Sequence, residues 1–253
     1  VIVLDHLKAG YMGSPVIKID HQVFETGKIT SLIGKNGSGK STLLKAIIGL
    51  LKYSGSLTID GKERNQMSDK ERARQVAYLP QSLTAPDMDV LTLVSHGRYA
   101  RLGFSRTLND ADKKAIRDAM DITDVTSLSG RSLKSLSGGE RQRAYLAMTI
   151  AQDTQILLLD EPATYMDVAH QAQITQILKT LAADGKGIIL ASHDLQQSFS
   201  ISDRLCIMDG GRIRACDTPQ ALAEKPQVMR SALGVTVAAC DDARFLYPYV
   251  LAK

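Results

Sequence analysis

Eight residues, Gly34-Lys35-Asn36-Gly37-Ser38-Gly39-Lys40-Ser41, separate the apolar run Ile29–Ile33 from a periodic run carrying Leu43, Leu44, Ile47 and Ile48. They satisfy the pattern G-x-x-x-x-G-K-[ST] at every fixed position. The flanking patterns read as a buried strand before the loop and a helix after it. Glycines let the backbone fold round a phosphate so that successive amide N–H groups point inward. The helix that follows presents its positive end to the same anion. On this reading Gly34 to Ser41, with Thr42 behind them, bind the phosphates of a nucleotide. Lys40 would reach the outer phosphates and the Ser41 hydroxyl would ligate Mg²⁺. At ordinary glycine frequencies such a match arises by accident in a chain of this length about once in a hundred.

The rest of the chain supports a strand–helix–strand frame. Gly55–Gly61 is a short alternating strand ending in a turn, and Val76–Leu79 is a strand stopped by Pro80. From about Ser82 to Ala151 the pattern is mostly helical, with Asn109 or Asp110 as a cap. Strands return at Ile156–Leu159 and Gly187–Ala191, separated by a helix with Ile174, Ile177, Leu178 and Leu181 on one face. Arg204–Met208 and Arg212–Cys216, joined by Asp209-Gly210-Gly211, read as a hairpin. Such alternation implies an α/β core, a mainly parallel sheet covered by helices, with a helical insertion.

In sheets of this kind ligands collect at the carboxyl ends of strands. The apolar run Ile156–Leu159 ends in Asp160-Glu161-Pro162, which places two carboxylates beside the phosphate loop. Asp160 is suited to hold Mg²⁺ and Glu161 to polarise an attacking water as general base. An ordinary acidic strand end is the competing reading of the pair taken alone. Further on, Ser137 and Glu140 form an S-x-x-E capping box at the start of a helix. The intervening Gly138 and Gly139 leave that helix end uncovered for an anion.

Leu136-Ser137-Gly138-Gly139-Glu140 resembles the signature of the ATP-binding cassette (ABC) ATPases, and Arg141-Gln142-Arg143 after it is also typical. The resemblance runs from about Val1 to Ala223. It implies a P-loop ATPase core with a mainly parallel sheet, an N-terminal antiparallel β subdomain and a helical subdomain inserted at about 82–151. One nucleotide-binding domain would span 1–225, with 226–253 a tail. By the same resemblance Gln81 senses Mg²⁺ and the water, His193 contacts the γ-phosphate, and Tyr11 stacks on adenine. Asp167 is similar to the aspartate of a loop that crosses between subunits. Between Pro162 and Asp167 this chain reads Ala163-Thr164-Tyr165-Met166, where many members have Thr-Ser-Ala-Leu. The family arrangement sandwiches two ATP molecules between two subunits. Ser137, Gly138, Gly139, Glu140 and Asp167 would then act on the partner's ATP.

Tyr78-Leu79-Pro80-Gln81, Gly97-Arg98-Tyr99 and Glu161-Pro162-Ala163-Thr164-Tyr165-Met166-Asp167 with His170-Gln171 resemble importer ATPases for iron–siderophore, haem and vitamin B12. That implies separate permease subunits, docked at about Met88–Arg98, and indirectly a substrate-binding protein. Zinc, manganese or molybdate import, a soluble ABC ATPase of translation or DNA repair, and an envelope extraction complex are the alternatives.

Composition narrows the classes. No stretch approaches the ~20 apolar residues of a spanning helix, and Val1–His6 does not read as a secretory signal. The expected location is cytoplasmic, peripheral on the inner membrane. The 31 basic and 27 acidic residues, net +4, are dispersed and argue against nucleic acid as a partner. Cys206, Cys216 and Cys240 match no metal or redox spacing and are expected to be buried reduced thiols. His6, His21, His96 and His170 are expected at exposed positions without a role.

Overall fold

The computed structural model describes residues 1–102, 107–164, 166–239 and 246–249. Two long strands, β1 (Ile2–Tyr11) and β2 (Ser14–Phe24), form an antiparallel pair. Then come β3 (Ile29–Ile33), α1 (Lys40–Ile48), β4 (Tyr53–Ile59), β5 (Lys62–Glu63), α2 (Asp69–Gln75) and β6 (Val76–Leu79). The helical insertion holds α3 (Val90–His96), α4 (Asp110–Ile122) and α5 (Gly138–Ala151). The chain returns through β7 (Ile156–Asp160), α6 (Val168–Ala183), β8 (Gly187–Ser192), α7 (Leu195–Ile201), β9 (Arg204–Asp209) and β10 (Arg212–Asp217). It closes with α8 (Pro219–Ala223), α9 (Pro226–Leu233), β11 (Thr236–Ala239) and β12 (Leu246–Tyr249).

Among these elements one sheet is four-stranded in the order β2-β1-β4-β5, and another is six-stranded in the order β10-β9-β3-β8-β7-β6. All pairings of the larger sheet are parallel except the β9–β10 hairpin at its edge. Its central strands are buried on both faces, which is why they read as continuous apolar runs. Leu157 and Leu159 face a cluster built with α3 to α6, while Ile156 and Leu158 face α1 and the antiparallel sheet. Each such leucine contributes roughly 1.5–3 kcal/mol on burial, so both faces anchor the strand that carries the acidic pair.

Local caps set the helix starts. Asn109 with Asp112 and Ser137 with Glu140 each make a complete capping box, and Ser68 with Glu71 makes a third at α2. The register aligns the carboxyl ends of three strands. Ile33 of β3 pairs with Ser192 of β8, and Asp160 of β7 pairs with Ala191. Everything that follows these strands therefore emerges at one edge.

One expectation is corrected. Cys206 and Cys216 are directly opposed across β9 and β10, with Cα atoms 4.0 Å apart, and are joined by a disulfide. The hairpin register brings together two residues whose spacing in sequence carries no signal. Cys240 and the Asp241-Asp242 pair lie outside the described residues, as does Tyr165. Among the described residues no helix is long and apolar enough to cross a membrane.

Candidate active site

The loop from Gly34 to Gly39 joins β3 to α1, and Lys40 and Ser41 open the helix. Gly39 stands at φ 103°, and a Cβ there would meet Cγ2 of Ile17 at 2.5 Å. Only glycine takes that conformation without strain and also clears β2. Lys40 is buried and its Nζ donates to the carbonyl of Gly34 at 2.7 Å. Burial holds its pKa below the usual lysine range, while Glu161 and Asp160 oppose that shift. Oγ of Ser38 is buried with no hydrogen-bond partner among the described residues. An orphaned hydroxyl inside an amide-lined loop fits a phosphate oxygen as its partner.

Asp160 closes β7 at 2% exposure. Its Oδ1 accepts from the Ser41 hydroxyl at 3.0 Å and its Oδ2 from the Tyr78 hydroxyl at 3.4 Å. Burial pushes its carboxyl upward, Ser41 pulls it down, and the neighbouring Glu161 adds to the rise. Two hard oxygen ligands next to a phosphate loop are the donor set that Mg²⁺ takes, the rest of its shell coming from phosphate and water.

Glu161 follows Asp160 in the left-handed region at φ 54°, with its N–H on the carbonyl of Ala191 at 2.9 Å. A non-glycine residue held there is strained, a condition that clusters at functional sites. The turn swings its side chain toward three partners. Gln81 donates to Oε2 at 3.0 Å, Thr164 donates to the same oxygen at 3.3 Å, and Nδ1 of His193 lies 3.3 Å from Oε1. A cavity of about 430 Å³ is lined by Gly34, Lys35, Asn36, Gln81, Glu161 and His193, together with Leu195, Leu233 and Val235. Residues from five separate stretches of sequence thus converge on one pocket, whose chemistry suits positioning a water against a bound phosphate.

A second cavity, of about 720 Å³, shares no lining residue with the first. It is lined by Ser137 to Arg141, Arg143, Met166, Asp167 and His170. At the start of α5 Glu140 accepts from the Ser137 N–H at 2.8 Å, and Ser137 Oγ accepts from the Glu140 N–H at 3.2 Å. The Ser137 N–H first, and the Ser137 side chain after it, hold the Glu140 carboxyl below its usual range. Asp167 caps α6, accepting from the His170 N–H at 2.9 Å, and that bond comes first in lowering its pKa. Nε of Arg143 is buried without a partner on the same wall.

Tyr11 ends β1 at 44% exposure and lines neither cavity. Thr42 is buried in α1. Gly37 takes a left-handed turn at φ 80° in mid-loop. Arg98 is turned inward, donating to Asp112 at 2.9 Å and to the carbonyl of Ala151 at 2.8 Å, whereas Leu91 and Tyr99 are exposed. His170 is half-buried, where an exposed position is expected, with Nδ1 2.8 Å from Oδ1 of Asp167. Tyr78 and Thr164 lie within motifs quoted from the sequence but are given no site role there, and Leu195, Leu233 and Val235 are apolar residues that carry no signal in the sequence.

The family model described as ABC transporter matches residues 19–164. The petrobactin import ATP-binding protein FpuC of Bacillus anthracis is 41% identical over 199 residues, covering 78% of this chain and 73% of that protein. The iron(3+)-hydroxamate import ATP-binding protein FhuC of Bacillus subtilis (strain 168) is 41% identical over 214 residues, covering 83% and 79%. In three dimensions the chain resembles the dimeric post-hydrolysis state of the ATP-binding cassette MJ0796 bound to ADP and Pi. The TM-score is 0.78 at 24% identity, covering 87% of this chain and 99% of that one. The chain belongs to the ABC transporter family, as one of its ATP-hydrolysing subunits.

Proposed function

We propose that this subunit powers import of an iron chelate, a siderophore or haem or the related vitamin B12, through separate permease subunits. The cargo class rests on the names of the two relatives above, a petrobactin and an iron(3+)-hydroxamate import ATP-binding protein. The observation that carries the hydrolytic reading is Glu161, bracketed by Gln81, Thr164 and His193 at the mouth of the phosphate-loop cavity.

In this reading the amides of Gly34 to Gly39 and Lys40 bind the β- and γ-phosphates, and Tyr11 stacks on the adenine. Ser41, Gln81 and Asp160 hold Mg²⁺, which supplies charge neutralisation between the phosphates. Glu161 accepts the proton of the attacking water, and Gln81 and Thr164 orient its carboxylate. His193 donates to the γ-phosphate oxygens as charge moves onto the leaving group. Two copies pair head to tail. The Ser137-Gly138-Gly139 end of α5, with Glu140 and Asp167, then completes the partner's site. Hydrolysis releases the pair, so the work is a shift between two states.

The catalytic unit is assigned to 1–225, with the helical insertion at about 82–151 as the coupling element. Leu91 supplies exposed apolar surface to the permease-docking region at about Met88–Arg98, and the subunit sits on the cytoplasmic face of the inner membrane, with a substrate-binding protein acting on the far side. The test is a tagged Glu161→Gln variant, expected to lock the ATP-bound pair, followed by mass spectrometry of what co-purifies from detergent-solubilised native membranes. A polytopic permease encoded near a binding protein for an iron chelate supports the reading. Ribosomal or DNA-repair partners alone would sink the transport assignment and leave the ATPase standing.

A further inference from the structure

One wall of the 430 Å³ cavity comes from neither the phosphate loop nor the acidic strand end: it is Leu195, Leu233 and Val235. Leu233 ends α9, and Val235 follows Gly234, where the chain turns in the left-handed region at φ 76°. That turn puts residues on both of its sides against the cavity. The same side chains belong to an apolar cluster with Ile33, Phe199 and Met229, in which Val235 is buried and Leu195 and Leu233 pack alongside.

The cluster touches both sides of the site. Ile33 is the last residue of β3, immediately before Gly34. Leu195 is the first residue of α7, two positions after His193. A helix of seven residues has little stability of its own, so packing decides where it sits. The His193 ring is 63% exposed and, among the described residues, faces Glu161. Its position therefore follows the start of α7 more than any pocket around the ring.

We infer that the C-terminal segment from Pro219 to Val235 is a positioning unit for His193, with Leu233 and Val235 fixing the start of α7 against the phosphate loop. This rests on the proposed role of His193 at the γ-phosphate. Leu222 and Met229 are fully buried in the cluster, so α8 and α9 are seated on the catalytic core. Misplacing a catalytic group by about 1 Å costs up to about a hundredfold in rate, so a modest shift of α7 is enough to register.

The test compares the full chain with Leu233→Ala/Val235→Ala, His193→Ala and the triple variant. ATPase kcat and KM, the affinity of a fluorescent ATP analogue and the melting temperature are measured for each. The expected result is a fall in kcat of about tenfold, with KM and analogue affinity within about twofold of the unsubstituted chain. His193→Ala should then cost fewer fold in the double-variant background than alone, because the two changes act on one group. If the double variant does not fold, Leu233→Ala, at a half-buried position, takes its place in the same comparison. An unchanged kcat, or a His193→Ala effect equal in both backgrounds, overturns the proposal. A His193→Ala chain with undiminished kcat would instead overturn the role of His193 on which it rests.

Discussion

Nδ1 of His193 stands 3.3 Å from Oε1 of Glu161, while Gln81 donates to the opposite oxygen at 3.0 Å, so the carboxylate is held at both ends. Glu161→Gln keeps the shape and removes the base. We expect kcat to fall by about 10²–10⁴-fold while a fluorescent ATP analogue binds as before. Near-normal steady-state turnover would remove Glu161 from the proton-accepting role.

Gly39→Ala tests the phosphate loop through its backbone. The substitution forces a side chain into φ 103° and onto Ile17. Nucleotide affinity measured by titration should drop by more than tenfold, with the far-ultraviolet circular dichroism unchanged. Unaltered affinity would mean that the loop tolerates a rearranged turn.

Glu140 gives a pH signature. Its folded pKa lies below the unfolded value of about 4.3, through its bonds to Ser137. The stabilisation is therefore present above the unfolded pKa and is lost as pH falls through the folded one. Glu140→Gln retains a hydrogen-bonding side chain, so thermal melts should show a smaller loss of stability between pH 5 and 3 than in the parent chain. Parallel curves for the two proteins would exclude Glu140 as a source of the acid sensitivity.

The buried pair of Arg98 and Asp112, at 7% and 6% side-chain exposure, ties α4 to the turn after α3. Removing one partner strands the other charge, so Arg98→Ala should cost about 3–5 kcal/mol and lower the melting temperature by on the order of 10 °C. Arg98→Met with Asp112→Leu should recover most of that loss. A double variant as unstable as Arg98→Ala would mean that the bond to Ala151 or the Asn109–Asp112 capping box, not the charge pair, is what matters.

The features that sequence reasoning reached are those whose chemistry dictates residue type: the glycines and lysine of the loop, the carboxylates after β7, and the Ser137–Glu140 box. The apolar runs of β7 and β8 and the face of α6 were legible because burial on both sides of a parallel sheet leaves no alternation to misread. By contrast β1 and β2 escaped the residue-level reading. Their alternation is broken where the register shifts between Asp5 and Lys8, with His6 at φ 49°. The left-handed turn at Glu161 was also hidden, since the residue is neither glycine nor asparagine. The Cys206–Cys216 pair depends on hairpin register, which spacing alone does not define.

The alignment of Ile33 with Ser192 and of Asp160 with Ala191 makes the three central strands a shared ruler. A strand advances about 3.3 Å per residue. One residue added within β3, β7 or β8 would carry its catalytic group a full step beyond its neighbours and exchange the side chains packed into its two buried faces. Extra length is admissible at the opposite edge, as in the turn of Asp184, Gly185 and Lys186 before β8. A peptide spliced into that turn is expected to leave the ATPase kcat unchanged so long as the Gly185 carbonyl keeps its bonds to Gly27 and Gln155.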